Sequence, residues 1–328
     1  MSLRIIKAGI LDTIQDLGRH GFQHLGINPN GAMDRLSART ANALLGKDLN
    51  APVLEVHFPA AQILFETDTI IAITGADFAP VINGKPVPRD HPLVVAANSL
   101  LQFQKPVSGM RAYIATFPDI IVDKWLNSSS TNLKAGAGGF EGRALQRYDC
   151  LQLRRTPDLS GLLKDKEFEV LHWKQVSPGH PSYMQFIIGS EWNWLTTEAQ
   201  QTFQESMYQI SPDADRMGYR LTGNALVAEE TTQLVSSAVT FGTIQLLPDG
   251  KLIILMADHQ TTGGYPRIAH VISAHLPFLA QKKINDVLQF RMTDLGTAEK
   301  KWLEQEKYIH LLQDACKFKM ENVLHATL

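Results

Sequence analysis

Three short stretches concentrate the side chains that could bind or react with a small polar molecule. The first spans residues 12–21 and 30–35 and contributes the candidates Gln15, Asp16, Arg19 and Asp34. An Asp carboxylate can exchange a proton, a Gln amide can hydrogen-bond another amide, and the planar Arg fork can bind a carboxylate or phosphate. Asp34 also stands at the start of a predicted helix, where exposed backbone N–H groups favour a carboxylate for purely structural reasons.

The second and third stretches lie in the C-terminal half. Residues 211–221 place Arg216 and Arg220 four apart beside an acidic turn, which is compatible either with ligand binding or with salt bridges inside the turn. Residues 256–267 directly follow a predicted apolar strand, and loops at strand ends commonly carry ligand-binding groups. The candidates in this third stretch are Asp258, Gln260, Thr261, Thr262 and Tyr265.

Other kinds of chemistry lack a sequence signature. The histidines at 259, 270 and 275 have neither HExxH spacing nor a paired position on one helix, so we expect no metal site. Cys150 and Cys316 are far apart and outside any CxxC motif, so neither a disulfide framework nor a thiolate zinc site is expected. A Gly-x-Ser-x-Gly elbow is absent, and no GK[ST] follows the glycines at 136–142.

Composition limits the class of protein. The 328 residues include 31 Lys and Arg against 33 Asp and Glu, a net charge of −2, with 44% hydrophobic and 20% charged residues. These values are typical of a globular protein of about two domains, and they exclude a strongly basic nucleic-acid scaffold. Because no apolar run reaches the roughly 18–20 residues of a membrane helix and the start resembles no signal peptide, we expect a cytoplasmic protein.

The elements that must position the candidate residues are mostly short strands. An apolar stripe predicts a helix over residues 33–45, which Gly46 would end, and Asn83-Gly84 predicts a type I′ hairpin. Strands at close intervals predict a barrel or sandwich in residues 1–154 and a second closed sheet in residues 168–295. A polar linker is predicted at residues 154–167, and a capping box at Thr197 and Gln200. An amphipathic C-terminal helix and tail are predicted over residues 296–328.

The same three stretches carry a family resemblance that covers nearly the whole chain. It rests on five ordered motifs: residues 13–19 (TIQDLGR), 31–34 (GAMD) with Ser37, Arg39, Ala41 and Asn42, 74–77 (TGAD), 216–221 (RMGYRL) and 260–266 (QTTGGYP). These resemble the family of the 5-oxoprolinase C-type subunit, also called allophanate-hydrolase subunit 2 or KipA-like, within the biotin-dependent carboxyltransferases. The resemblance implies a mainly β fold with a few helices and two barrel-like domains, the second a cyclophilin-like β-barrel.

The resemblance also implies a function and partners. The leading hypothesis is a component of an ATP-dependent 5-oxoprolinase that processes a lactam or amide together with a sister subunit of the 5-oxoprolinase B type, or allophanate-hydrolase subunit 1 type. ATP would be used by the assembled complex, with no tightly bound cofactor or metal, no nucleic acid and no membrane; homo-oligomerisation stays open. The alternatives are a biotin-dependent carboxyltransferase or allophanate-hydrolase-like component, and a non-catalytic regulatory protein that sequesters a kinase-inhibitor partner.

Under the leading hypothesis we assign roles from donor and acceptor chemistry. The catalytic set is Asp16, Asp34 and Asp258, and the substrate-binding set is Gln15, Arg19, Arg216, Arg220, Gln260, Thr261, Thr262 and Tyr265.

The chain departs from the family pattern at several turns, where we expect altered geometry. Phe117-Pro118-Asp119-Ile120 replaces Gly-Gly-Ile-Asp, and residues 127–131 (NSSST) replace Gly-Ser-x-Ser-Thr. Further along the chain, Gly189-Ser190-Glu191 replaces Gly-Pro-Gln, His275 replaces the Asp before Leu-Pro, and Ile284-Asn285 replaces Pro-Gly.

Overall fold

A computed structural model describes residues 1–154, 158–176, 179, 181–230, 232 and 234–325. The chain forms two compact units: a first unit of Met1–Gly18, Asp34–Pro178 and Glu306–Leu328, and a second unit of Arg19–Met33 and Gly179–Gln305. Strands dominate both units, which confirms the predicted mainly β fold with a few helices. None of the helices in the described ranges combines the length and apolar character needed to cross a bilayer.

The first unit contains two six-stranded sheets. Its strands are β1 (Ser2–Lys7), β2 (Thr13–Gln15), β3 (Val53–Val56), β4 (Gln62–Phe65), β5 (Thr69–Asp77), β6 (Pro80–Ile82), β7 (Lys85–Pro86), β8 (Pro92–Val95), β9 (Ser99–Phe103), β10 (Ser108–Phe117), β11 (Cys150–Gln152) and β12 (Phe168–Val170). One sheet has the order β11-β1-β4-β9-β6-β7 and the other β12-β8-β5-β10-β3-β2. Buried apolar side chains of both sheets, such as Ile5, Ile63, Ile73 and Ile114, form one core.

Two local predictions for the first unit are confirmed. Asn83 and Gly84 have φ of 49° and 79° and join β6 to β7, as a type I′ turn requires. The predicted first helix is α1 (Arg35–Leu44), and Gly46, at φ 64°, follows its end. A Cβ on Gly46 would lie 2.6 Å from the backbone Cα of Lys317, so only glycine fits this close approach.

The C-terminal helix is the longest element. It runs as α5 over Leu295–His325, as predicted, and its residues from Glu306 onward belong to the first unit. There Ile309 packs against Ala43 and Leu49, and Glu306 forms an ion pair with Arg39. One face of this helical segment is therefore fixed by packing and by a charged contact.

The second unit is built on a closed seven-stranded barrel. Its strands are β13 (Met184–Ile188), β14 (Met207–Ile210), β15 (Gly218–Thr222), β17 (Thr243–Leu246), β18 (Leu252–Leu255), β20 (Arg267–Val271) and β21 (Val287–Met292), and β16 (Ser237–Ala238) pairs with β19 (Thr262–Gly263) outside it. The helices α3 (Thr197–Glu205) and α4 (Leu276–Ala280) accompany the barrel. Phe186, Phe203 and Phe290 pack together in its core, with Phe203 stacked on Phe290 at 4.8 Å between centroids. Side chains therefore fill the barrel, and polar ligand-binding groups must lie at its rim or outer face.

The division into units differs from the predicted domain boundaries. Of the predicted linker 154–167, residues 155–157 lie outside the described residues, while Ser160–Leu163 form the short helix α2. β12, which the sequence assigned to the second domain, pairs antiparallel with β8, so its backbone N–H and C=O groups complete a sheet of the first unit. Residues 19–33 belong to the second unit although they precede the linker.

The predicted capping box is wrong by one residue. The N-cap of α3 is Thr196, whose Oγ1 accepts a hydrogen bond from the Ala199 N–H at 3.0 Å. Since the two adjacent threonines offer the same side chain, local sequence does not distinguish them. From this cap the helix extends to Glu205.

Candidate functional site

Arg216 and Asp258 form a bidentate ion pair at one end of the barrel. Nε of Arg216 lies 2.9 Å from Oδ2 of Asp258, and Nη2 lies 3.0 Å from Oδ1. Arg216 lies two residues before β15 and Asp258 three residues after β18, and in these neighbouring antiparallel strands Gly218 pairs with Leu255. Strand pairing thus brings the second and third predicted stretches together. The planar guanidinium holds both carboxylate oxygens and fixes the orientation of Asp258.

Two asparagines that the sequence analysis did not select complete this network. The Asn30 side-chain amide donates to Oδ1 of Asp258 at 2.6 Å, and that of Asn28 donates to the Asp258 carbonyl oxygen at 2.9 Å. Arg216 Nη2 also donates to the carbonyl of Gly31 at 2.6 Å. Asn30 adopts φ of 59°, a left-handed conformation that Asn tolerates better than most residues. The Asn30-Gly31 pair, typical of such turns, is the sequence feature that could have indicated it.

The outer face of the barrel carries a groove with a volume of about 510 Å³. Across its floor Arg220 pairs with Ile253 and Ile253 with Gln245, so these residues form a row over β15, β18 and β17. The predicted substrate-binding residues Arg220, Gln260 and Tyr265 all line the groove. A Cβ on Gly218 would lie 2.8 Å from Ile253 Cδ1, so glycine leaves room for this isoleucine on the floor.

The arginines of the second stretch do not form the salt bridges within the acidic turn that the sequence left open. Arg216 pairs with Asp258, and within the described ranges the Arg220 guanidinium has no ion-pair partner. Asp215 instead accepts hydrogen bonds from the N–H groups of Met217 and Gly218, at 2.7 and 3.0 Å. The turn is stabilised by its backbone, which leaves Arg220 available to a ligand.

Thr261 and Thr262 lie in the small ribbon beside the groove. Thr262 belongs to β19, where it pairs with Ala238 of β16, and the Thr261 carbonyl accepts from the Val239 N–H at 3.2 Å. Their backbone groups thus hold the ribbon together.

Asp16 lies in a cradle of serines in the first unit. Its Oδ1 accepts from the Gly18 N–H at 2.8 Å and from the hydroxyls of Ser128 and Ser130 at 2.7 and 2.5 Å, and Oδ2 accepts from the Ser129 N–H at 2.6 Å. The serines come from residues 127–131, which depart from the family pattern. The altered sequence nevertheless supplies a specific set of hydrogen-bond donors to Asp16. Asp16 joins two chain segments more than a hundred residues apart.

The remaining predicted residues of the first stretch have different surroundings. The Gln15 amide donates to Thr13 Oγ1 at 3.0 Å inside the first unit. Asp34 caps α1, with Oδ1 accepting from the Ser37 N–H at 2.8 Å and Oδ2 from its hydroxyl at 2.6 Å. Arg19 belongs to the second unit, where its N–H donates to Pro29 O at 2.7 Å. The predicted set is thus divided between the two units.

A further carboxylate of the first unit is buried without being selected by the sequence analysis. Asp12 Oδ1 accepts from the His57 N–H at 3.0 Å and Oδ2 from the Ala61 N–H at 2.6 Å. Burial raises the pKa of Asp12 from its ordinary 3.8 to about 7, although these two hydrogen bonds oppose the shift. Close by, the Tyr113 hydroxyl donates to Glu55 at 2.7 Å and accepts from the Asp34 N–H at 2.8 Å.

Two departures from the family pattern have clear structural partners in the second unit. Glu191 forms a bidentate pair with Arg267, at 3.0 Å from Nε and 2.8 Å from Nη2. Burial alone would raise the pKa of Glu191, but the bonds from Arg267 outweigh it and lower the pKa. His275 Nδ1 accepts from the Gln185 N–H at 3.1 Å, and burial, with a smaller effect of Lys301, lowers its pKa to about 4. At neutral pH the His275 ring is therefore uncharged.

The potential metal ligands of the described residues lie apart from one another, and the Cys316 thiol is buried. In the described part of the chain, no three or more His, Cys, Asp or Glu side chains are grouped so that they could hold a metal ion. Burial raises the pKa of the Cys316 thiol to about 11, which keeps it protonated and unreactive at neutral pH.

Comparison with known proteins gives a family and a fold. The family model "Carboxyltransferase domain, subdomain A and B" matches residues 25–292. The chain is 37% identical over 310 residues to the C-type subunit of 5-oxoprolinase from Escherichia coli (strain K12), covering 94% of this chain and 97% of that protein. It is 36% identical over 299 residues to the C-type subunit of 5-oxoprolinase from Haemophilus influenzae, covering 90% and 93% respectively.

A solved structure shows the same fold. The crystal structure of the Kluyveromyces lactis urea carboxylase matches with a TM-score of 0.85 at 24% identity, over 95% of this chain but only 29% of that one. The resemblance in the five motifs is confirmed by the family model and by the two sequence relatives. The chain therefore belongs to the carboxyltransferase domain family, subdomains A and B, as a relative of the 5-oxoprolinase C-type subunits.

Proposed function

We propose that this chain is the C-type subunit of an ATP-dependent 5-oxoprolinase that opens a cyclic amide together with a sister subunit of the B type. The observation that carries this proposal is the identity of 36–37% to two proteins named as the C-type subunit of 5-oxoprolinase, over at least nine-tenths of each chain. Because both relatives are named as subunits, a multi-subunit complex is supported. ATP use by that complex, the absence of a tightly bound cofactor and a cytoplasmic location are parts of the same proposal.

The Arg216–Asp258 network supports a role in orienting an amide. An ionised carboxylate accepts hydrogen bonds only, so Asp258 would accept from the N–H of a lactam or take up a proton released during ring opening. Asn30 and Arg216 hold this carboxylate at 2.6–3.0 Å before any substrate arrives. Such preorganisation is what makes a polar group effective in a transition state.

The groove supplies the complementary binding groups. Arg220, Gln260 and Tyr265 bring a guanidinium, an amide and a phenol to one concave surface, which suits a small ligand with a carboxylate and a second polar group. The contacts of Asp16 and Asp34 favour positioning roles, because their oxygens accept hydrogen bonds from the protein itself. Their predicted catalytic roles, and those of Gln15 and Arg19 in substrate binding, remain proposals.

The test is an assay of the assembled enzyme. Co-purified with its sister subunits, the protein should form glutamate from 5-oxoproline only when ATP is present. Asp258→Asn should lower kcat/KM by about 100-fold or more, as expected for loss of an oriented charged group. Glu191→Gln, which changes the other bidentate carboxylate of the barrel, is the matched control and should retain most of the activity of the folded enzyme.

A second candidate is favoured by the family description, which names a carboxyltransferase domain. In that case the same preparation would transfer a carboxyl group from carboxybiotin to an amide and would form no glutamate from 5-oxoproline. Measuring both reactions on one preparation decides between the two functions.

The partner is tested separately. We expect the purified chain and the B-type subunit, once mixed, to elute together in size-exclusion chromatography with light scattering. An interface of an obligate complex should bury on the order of 1,200–2,000 Å² or more. Separate elution of both chains would contradict the obligate complex and leave a freestanding binding protein as the better account.

A further inference from the structure

The groove on the outer face of the barrel has a charge pattern that a simple anion does not match. One arginine lines it, Arg220, together with Asp213, Asp215 and Asp249. Asp249 forms an exposed ion pair with Lys251 at 3.0 Å. The other two carboxylates that line the groove, Asp213 and Asp215, have no ion-pair partner in the described part of the chain. A ligand with only a negative charge would meet one guanidinium against an excess of carboxylates.

The floor of the groove presents a charged, an apolar and an amide side chain in sequence across neighbouring strands. Arg220, Ile253 and Gln245 form a row across three strands spaced about 4.8 Å apart, so the backbone positions of Arg220 and Gln245 are about 10 Å apart. Half-buried Ile253 lies between them and offers an apolar surface. Gln245 is 1% exposed, its amide lies 3.4 Å from the Tyr265 carbonyl, and it packs against Gly263. The row therefore runs from an exposed cation over an apolar side chain to a buried amide that closes the far end of the floor.

We propose that this groove binds an open-chain, zwitterionic α-amino acid with a polar end to its side chain. Arg220 would bind the α-carboxylate, Asp213 and Asp215 the α-ammonium, and Ile253 the methylene groups. Gln260, which is exposed and lines the groove, would hydrogen-bond the polar end. The α-carbon end of such a ligand brings one cation and one anion to a groove that offers both partners. A lactam fails this match, because its ring nitrogen is an uncharged amide.

The inference deepens the proposed function, on which it rests for the choice of probe. Opening the ring of 5-oxoproline converts a neutral amide nitrogen into an ammonium, so the groove would distinguish the product class from the substrate class. It would then hold or sense the opened amino acid, while the Arg216–Asp258 network orients the cyclic amide.

Isothermal titration calorimetry of the purified full chain tests the proposal, with L-glutamate as the probe and 5-oxo-L-proline and glutarate as competitors lacking an ammonium. L-glutamate should bind at least about tenfold more tightly than either, which corresponds to about 1.4 kcal/mol or more for one lost charge pair in the groove. Arg220→Gln and Asp213→Asn should each weaken L-glutamate binding by about tenfold, for the same reason. Neither position contributes to the core, so circular dichroism should show unchanged folding.

Arg291→Gln is the matched control. Arg291 is an exposed arginine on β21 whose guanidinium stacks 4.1 Å above the Tyr183 ring, outside the groove, and its removal should leave L-glutamate binding unchanged. Equal affinity for glutarate or 5-oxo-L-proline would overturn the proposal in favour of a general anion site. No binding of L-glutamate at all would also overturn it.

The outcomes separate this inference from the proposed function. If the assembled complex forms glutamate but the chain does not bind it, the inference fails and the function stands. If the chain binds L-glutamate through Arg220 while the complex forms none from 5-oxoproline, the function fails and the inference stands.

Discussion

Asp16 in the first unit and Asp258 in the second are both carboxylates that join distant parts of the chain, but their donors differ. The hydrogen bonds that hold Asp16 come from serine hydroxyls and backbone N–H groups, all uncharged. Asp258 is held by a guanidinium and an amide. The donors on residues 128–130 tie that loop to Asp16, on which the charge of Arg35 also acts, whereas the Arg216 guanidinium bonds to both oxygens of Asp258 and orients them. From this difference we expect a mainly structural role for Asp16, and we propose the functional role for Asp258.

The strongest test of this contrast is Asp16→Ala. It would leave the Ser129 N–H and two serine hydroxyls without their acceptor in a site only 3% exposed. We expect the free energy of unfolding to fall by about 3–5 kcal/mol in urea denaturation, since each buried hydrogen bond to a charged group is worth about 1.5–3 kcal/mol. Asp158→Ala, which removes an exposed carboxylate that accepts from the Ser160 N–H, is the control and should cost far less.

An unchanged free energy of unfolding for Asp16→Ala, combined with loss of activity in the assembled enzyme, would reverse the comparison. Asp16 would then be the catalytic carboxylate that the sequence predicted, and the serine cradle would serve to position it.

The two units should also respond oppositely to pH, first through Asp12. Its pKa is raised from 3.8 to about 7 by burial in the first unit, so the folded state retains a proton that the unfolded state has lost. Stability from this group is present below about pH 4 and is lost as pH rises through about 7, with a total on the order of 4 kcal/mol. The difference in free energy of unfolding between wild type and Asp12→Asn, measured from pH 4 to 8, should fall over this window. If the difference in free energy of unfolding does not change with pH, the hydrogen bonds from the two backbone N–H groups keep Asp12 ionised.

His275 should produce the opposite slope in the second unit. Burial and Lys301 lower its pKa from 6.5 to about 4, so the unfolded state takes up a proton before the folded state does. Stability is complete above about pH 6.5 and is lost as pH falls towards 4, and we expect about 3 kcal/mol of it to depend on this group. His275→Gln should flatten that part of the pH profile of unfolding. A profile that keeps its slope would place the titrating group elsewhere.

Local sequence patterns sufficed for elements whose geometry is local. The helix ending before Gly46 and the Asn83-Gly84 turn each depend on a few adjacent residues, and both were predicted. The pairing of β12 with β8 was not, because the choice of a sheet edge depends on residues some seventy positions away. For the same reason the sequence selected Arg216 and Asp258 by residue type but missed Asn30, whose donor role appears only once β15 and β18 are paired.

Arg220→Ala should have the smallest effect on stability of these substitutions. It tests whether the second unit contains a side chain that serves ligand binding rather than folding. Arg220 is exposed on the outer face of the barrel, and in the described part of the chain its guanidinium has no ion pair to lose. The free energy of unfolding should therefore change by less than about 0.5 kcal/mol, as for most surface substitutions away from buried contacts.

Urea denaturation measures this change, and the glutamate-forming assay of the assembled enzyme should show a large loss of activity in the same variant. If the variant instead unfolds at a much lower urea concentration and remains active when folded, Arg220 stabilises the acidic turn. The proposed contrast between a structural Asp16 in the first unit and binding residues in the second would then be wrong.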